Sequence, residues 1–429
     1  MLRESGSGGL LVVLLILSLL AEVTGVVSPV WAGGAGWLAG AVLARRLTGA
    51  ARWQVLAMLT LGILGLIWGA ANGAPSRLVQ ALSANHLLLA MLVGVTFLRL
   101  VAMPRTERHE ALPVGRRALW RTLLGVHFFG AVINLSALLI MAERQSLREP
   151  LSRLQAIVLS RGFSAAAYWS PFFAAMGVAL TYAAGSNIQT LTLMGLPAAL
   201  GGLAITGLAL SRSEEARTFR GYPIHFEALL VPGLLALAVL LLHELWPGIK
   251  VLVWVALLSP ALSIGLLVRR EGRAAAARLK GHVTRGLPQM SGELILFLAA
   301  GVFAAGVGSV ADTLELTLGA ERVGARGAAA MLAIMVLLAA FGVHPVISIS
   351  VIGGVLADTA IDPNLLGMVF LMGWSLGVCI SPLSAMHLAM QGRFGVPSFQ
   401  FLRWNYRYIL VMWCVDALLL YLYTHVAGA

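Results

Sequence analysis

Apolar stretches of about 18 to 25 residues, long enough for the roughly 30 Å hydrocarbon core of a bilayer, recur at 9–27, 28–44, 54–73, 83–103, 161–183, 190–211, 226–243, 249–268, 292–317, 364–390 and 406–424. Two further stretches, 118–142 and 328–358, carry Gly-Val-His in their interiors. These are Gly125-Val126-His127 and Gly342-Val343-His344, the second followed by Pro345. If all of these segments cross the membrane, the basic loops at 144–161 and 212–220 fall opposite those at 45–52 and 269–285, against the positive-inside rule. If 118–142 and 328–358 enter and leave on one side as re-entrant hairpins, 25 of the 30 Lys and Arg residues become cytoplasmic. The pattern therefore predicts an all-α polytopic membrane protein of about 11 transmembrane helices plus two re-entrant hairpins. Its N-terminus is cytoplasmic and its C-terminus outside, in the cell (inner) membrane. The alternative for residues 1–27 is a cleaved signal peptide; the many apolar segments that follow favour a retained span.

Composition sharpens this picture. Of 429 residues, 59% are hydrophobic and 11% charged, against about 25% charged in soluble domains, which argues against a soluble enzyme. The net charge of +12 is scattered singly between apolar runs, so it marks topology and not a nucleic-acid partner. Cys379 and Cys414 both lie in apolar stretches, which argues against a disulfide framework or a metal cluster.

The chain also repeats itself. Ser83 to Val95 lines up with Ser291 to Val302, Gly125-Val-His127 with Gly342-Val-His344, and Gly162-Phe-Ser164…Ser170-Pro171 with Gly373-Trp-Ser375…Ser381-Pro382, at offsets of 208, 217 and 211. The topology runs the two copies in opposite directions, so the expected repeats are inverted. The domains read as N-terminal scaffold helices over 1–82 and repeat 1 over 83–225, with hairpin 118–142 and broken helix 161–183. Linking helices with a basic segment follow over 226–290, then repeat 2 over 291–429 with hairpin 328–358 and broken helix 364–390.

Inverted repeats with discontinuous helices belong to secondary transporters, whose binding site lies where the helices break. Pro171 and Pro382 each remove a backbone donor and free nearby carbonyls. Ser164, Ser170, Ser375 and Ser381 flank the breaks and offer hydroxyls. At the hairpins, a Gly-Val-His turn exposes helix N-termini suited to an anion. His127, His344 and His387 are the candidates for proton coupling; the alternative is that each imidazole caps its own turn. Asn134, Ser136, Ser348 and Ser350 lie just beyond the tips and either line the site or pack helices.

Carboxylates within spans, expected of cation exchangers, are limited to Asp312, Glu315 and Asp416, all outside the repeated motifs, while Glu22, Glu143, Glu227, Glu244, Glu293 and Asp358 fall near segment ends. This favours an anionic or zwitterionic solute held by amide dipoles and hydroxyls over cation exchange. Arg99 and Arg161 offer positive charge, with Arg161 placed to snorkel to the cytoplasmic boundary. Gly373-Trp-Ser375-Leu-Gly377 spells the hydrolase elbow but stands in a span without a preceding strand.

Through these motifs, residues 83–211 and 291–424 resemble the ion transporter superfamily, which includes divalent anion:sodium symporters, arsenite permeases and the large membrane subunits of TRAP transporters. The symporters' Ser-Asn-Thr motif is absent, with Gly-Val-His and Ser-Pro in its region. The resemblance implies a homodimer, a scaffold part, and an elevator-like movement of the hairpins and broken helices. It places substrate near His127, Ser170-Pro171, His344 and Ser381-Pro382. The function expected is secondary transport of a small anion, carboxylate or oxyanion, coupled to H+ or Na+, with no other cofactor and no metal site. The competing expectations are a membrane enzyme or lipid-handling protein using the three histidines, and a non-transporting subunit of a complex.

Overall fold

A computed structural model describes residues 2–101, 112–223, 230–314, 323–356 and 361–427. Glu227, Glu315, Asp358, the loop at 102–111, the start of the 226–243 segment and the last residues of the 328–358 hairpin lie outside the described residues. The chain is helical: α1 (Leu2–Thr24), α2 (Pro29–Leu43), α3 (Gly49–Ala71), α4 (Leu78–Ser83) and α5 (His86–Thr96) come first. They are followed by α6 (Arg116–Ile133), α7 (Leu135–Gln145), α8 (Arg153–Ala165), α9 (Ala174–Tyr182) and α10 (Ile188–Ser211). Next come α11 (Leu230–Leu245), α12 (Val251–Glu271), α13 (Ala274–Gly281) and α14 (Ser291–Thr313). The chain closes with α15 (Ala325–Ala340), α16 (Pro345–Leu356), α17 (Pro363–Ile380), α18 (Ala385–Phe394) and α19 (Ser398–Ala427).

Among the described residues, eight helices are long and apolar enough to cross a membrane, which makes this a multi-pass membrane protein. The three other stretches expected to span differ in form: α2 has only 15 residues, the 161–183 stretch is interrupted between α8 and α9, and α11 is a shorter apolar helix.

The chain forms two compact units, and each sequence repeat contributes to both. The first unit comprises residues 1–101, 233–320 and 349–360. Small residues let its helices approach closely, as membrane bundles require: a Cβ on Gly62 of α3 would lie 2.8 Å from the backbone of Val302 and Phe303 in α14. Polar pairs add specific links. Arg77 holds Asp312 through two hydrogen bonds of 2.8 Å, and Asn85 donates to the Phe297 carbonyl at 2.6 Å. Lys250 Nζ lies 2.9 Å from Glu22, whose carboxylate is also 3.5 Å from His86.

The second unit comprises residues 102–232, 321–348 and 361–429. Its core is α17, buried without interruption from Leu365 to Ile380, as expected of a helix that is apolar all round. Helices α15, α19, α9, α10 and α8 pack on it.

Candidate functional site

The second unit holds four interruptions of helical geometry, and each arises from a local cause. The first falls at Asn134, between α6 and α7, where the backbone takes φ +52°. Sequence reading placed this turn at Gly125-Val126-His127, but those residues continue α6. Nothing in helical geometry forbids an interior glycine, whereas Asn is among the few side chains that tolerate positive φ.

The second interruption lies between α8 and α9. Helix α8 starts on a capping box in which Ser152 and Gln155 satisfy one another's backbone amides. It ends in a 3-10 turn at Ala166–Tyr168, and Trp169 to Phe173, including Ser170-Pro171, bridge to α9. The fourth, Ser381 to Ser384 between α17 and α18, is built in the same way. Ser170 Oγ accepts from the Phe172 amide at 3.2 Å, and Ser381 Oγ from the Leu383 amide at 3.3 Å. The carbonyls of the two serines accept from the amides of Phe173 and Ser384. Proline ends the helix and the preceding serine supplies the partner that the freed amide requires.

The third interruption, between α15 and α16, is the Gly342-Val343-His344 turn with Gly342 at φ +93°, a conformation glycine adopts without steric cost.

Hydrogen bonds join the first interruption to the second. Asn134 Nδ2 donates to the Phe172 carbonyl at 3.2 Å, and the Ser170 hydroxyl donates to the Ala131 carbonyl. His127 completes this cluster from within α6. Its Nδ1 lies 3.3 Å from the Gly162 carbonyl, and its Nε2 accepts from the Trp169 indole at 3.1 Å. A carbonyl only accepts and an indole only donates, so the ring is the neutral Nδ1–H tautomer with both nitrogens engaged.

His387 is held as firmly: Nδ1 faces the Ser381 carbonyl at 2.8 Å, Nε2 faces Ser160 Oγ at 2.9 Å, and the ring stacks on Phe401 with centroids 3.8 Å apart. His344 differs. Its Nδ1 accepts from the Val346 amide at 3.2 Å and so caps α16, which leaves the proton on Nε2. The ring is half-buried and lies edge-on to Trp374, 5.3 Å between centroids. One turn on, Ser348 is buried and its hydroxyl has no hydrogen-bond partner among the described residues. Ser350 falls in the other unit.

Ser164 and Ser375, each in a Gly-x-Ser motif, meet directly: the Ser375 hydroxyl donates to the Ser164 carbonyl at 2.8 Å. The Ser164 hydroxyl donates to the Arg161 carbonyl in its own helix.

Two buried ionisable groups emerge that the sequence motifs do not mark as site residues. Arg161, expected to snorkel outward, is 7% exposed. It donates to Asn405 Oδ1 and the Trp404 carbonyl, both at 2.9 Å, and its guanidinium lies 4.3 Å over the Tyr408 ring. Among the described residues no carboxylate pairs with it. Asp416 is wholly buried and accepts from the Tyr168 hydroxyl at 2.9 Å. Asn405, Tyr408, Met412 and Asp416 fall at helical spacing on α19 and all are buried, so a polar stripe in an apolar helix was the signal available.

Among the described residues no group of three or more His, Cys, Asp or Glu side chains is arranged to hold a metal ion. No family model matches the sequence, and no curated protein matches it. By structure the chain is similar to the YdaH transporter of Alcanivorax borkumensis, a crystal structure described as having an unusual topology. The match has 15% identity and a TM-score of 0.38 over 86% of this chain and 85% of that one.

Proposed function

We propose that the protein is a secondary active transporter that moves a small anionic solute, a carboxylate or an oxyanion, coupled to H+ or Na+. The observation that carries this reading is that four interruptions, two helix turns and two Ser-Pro breaks, fall within one compact unit. Such unwound segments at membrane depth expose backbone amides and carbonyls that a solute or a coupling ion satisfies. The buried Arg161, without a carboxylate partner, supports a negatively charged solute, as do the amide ends of α7, α9, α16 and α18. The His344 Nε2–H and the unpartnered Ser348 hydroxyl are further donors for it.

The mechanism proposed is alternating access of elevator type, with inverted repeats, a homodimer, and residence in the cytoplasmic membrane with the N-terminus inside. Asn134, Ser170-Pro171 and Ser381-Pro382 shape the breaks, and His127, Ser164, Ser375 and His387 hold them in place. Purified protein heated in detergent with succinate, citrate, sulfate or phosphate, then reconstituted for counterflow of whichever stabilises it, tests the reading. One solute class that both stabilises and exchanges supports it. Failure of all four to stabilise or exchange contradicts an anionic solute.

A further inference from the structure

Asp416 presents an unusual chemical situation. One carboxyl oxygen, Oδ2, accepts from Tyr168, and the other, Oδ1, is buried with no hydrogen-bond partner among the described residues. The elements packed on α19 bring few ionisable groups near it. Helix α8 and its following turn offer Arg161 and Tyr168, α17 offers Cys379 and α18 offers His387, while α10 has none and Arg326 of α15 is exposed. Arg161 is engaged at Trp404, Asn405 and Tyr408, two turns or more along α19 from Asp416. Among the described residues no cation reaches the carboxyl group.

A bare carboxylate in such surroundings is expensive, and burial is tolerated when the charge is paired or removed. A sodium ion would need several oxygen ligands. The described oxygen bonded to this carboxyl is the Tyr168 phenol, so a proton suits the site and a metal cation does not.

We infer that Asp416 is the residue that takes the coupling proton, with Tyr168 as the positioning residue that links its state to the α8–α9 break. This rests on the proposed transport function and names its coupling ion. In the loaded form Oδ1 carries the proton and Oδ2 accepts from Tyr168. On release the proton leaves to water and the bonding pair stays on Oδ1. Tyr168 is followed in the chain by Trp169, whose indole holds His127, so the carboxyl group is one side chain removed from the break.

Arg161 supplies the reason for coupling. With Asp416 neutral, the Arg161 charge has no carboxylate paired with it among the described residues and an anion is attracted. With Asp416 ionised, the carboxylate competes for that field. Proton and anion binding therefore favour each other, by reciprocal linkage.

Infrared spectroscopy of the full chain in lipid at neutral pH, in H2O and D2O, tests the assignment without any transported solute. The expected result is a protonated-carboxyl C=O band that shifts in D2O, is lost in Asp416→Asn, and moves in Tyr168→Phe. If Asp416→Asn fails to fold, Asp416→Glu must retain a displaced band. A spectrum in which neither substitution alters a protonated-carboxyl band overturns the inference, as does a wild-type band abolished by sodium chloride at constant pH. A band that behaves as expected in protein that moves no solute would leave the proton site standing and remove the transport reading.

Discussion

Ser375 donates its hydroxyl hydrogen to the carbonyl of Ser164 at 2.8 Å, and each of these two residues is the first serine of a Gly-x-Ser…Ser-Pro motif. The broken helices therefore touch at matching points, α17 lending a side chain and α8 a backbone acceptor. The arrangement is not reciprocal, because the Ser164 hydroxyl turns back to the Arg161 carbonyl. Interhelical hydrogen bonds in membranes contribute about 0.6 kcal/mol on average and at most about 2. Ser375→Ala is expected to destabilise the protein by about 1 kcal/mol and Ser164→Ala by less. Unfolding in mixed micelles compares them, and equal losses would mean that the contact is not the stabilising element.

The three histidines divide into two kinds. His127 has both nitrogens engaged in a buried cluster, so His127→Ala leaves the Trp169 indole and the Gly162 carbonyl unpaired at a cost of about 1–3 kcal/mol. His344 caps a helix end through Nδ1 and keeps Nε2–H available, and losing the cap costs about 1 kcal/mol. Thermal unfolding with and without stabilising anion separates the two roles. His127→Ala is expected to lower the midpoint but keep the anion-induced increment, and His344→Ala to keep most of the midpoint but lose the increment.

Arg161 offers a charge that no carboxylate among the described residues neutralises. Its planar guanidinium is shared among Asn405, the Trp404 carbonyl and the Tyr408 ring, a geometry that lysine does not reproduce. Arg161→Gln is expected to weaken anion binding at least tenfold, about 1.4 kcal/mol. Arg161→Lys should restore only part of the loss. Titration calorimetry with the stabilising anion measures both, and unchanged affinity in Arg161→Gln would remove this residue from the solute site.

In the other unit the Arg77–Asp312 pair makes two parallel hydrogen bonds of 2.8 Å between partly buried side chains. Single neutralisation at either position should cost about 1 kcal/mol after allowance for solvent screening. The charge swap Arg77→Asp with Asp312→Arg should recover part of it. A double-mutant cycle on thermal stability reads the coupling directly, with zero coupling as the contrary result.

What was legible in the sequence follows from how local each signal is. The breaks at Ser170-Pro171 and Ser381-Pro382 could be read because the same Gly-x-Ser and Ser-Pro spacing occurs twice, whereas Pro197 and Pro260 stand within continuous helices; the Gly342-Val-His344-Pro345 turn could be read because glycine and proline act together there. The first turn was misplaced by seven residues, at Gly125-Val-His127, because glycine in a membrane helix serves packing as often as turning. Asn134 takes the positive φ instead. Arg161 and Asp416 stand out in the sequence as charges in apolar stretches, but their roles do not, for the opposite reason: their partners Asn405 and Tyr168 lie 244 and 248 positions away, and only the folded unit brings them together.

Alternating access through the interrupted helices requires the breaks to change the face they open to, and sided cysteine labelling reads that change. In a Cys414→Ser background, with buried Cys379 retained, single cysteines at Leu135 and Val343 are reacted from each face of reconstituted vesicles with membrane-impermeant maleimide. The account predicts that a saturating transported anion and a proton gradient shift reactivity at both positions from one face to the other. Labelling confined to one face, whatever the solute and gradient, would contradict it.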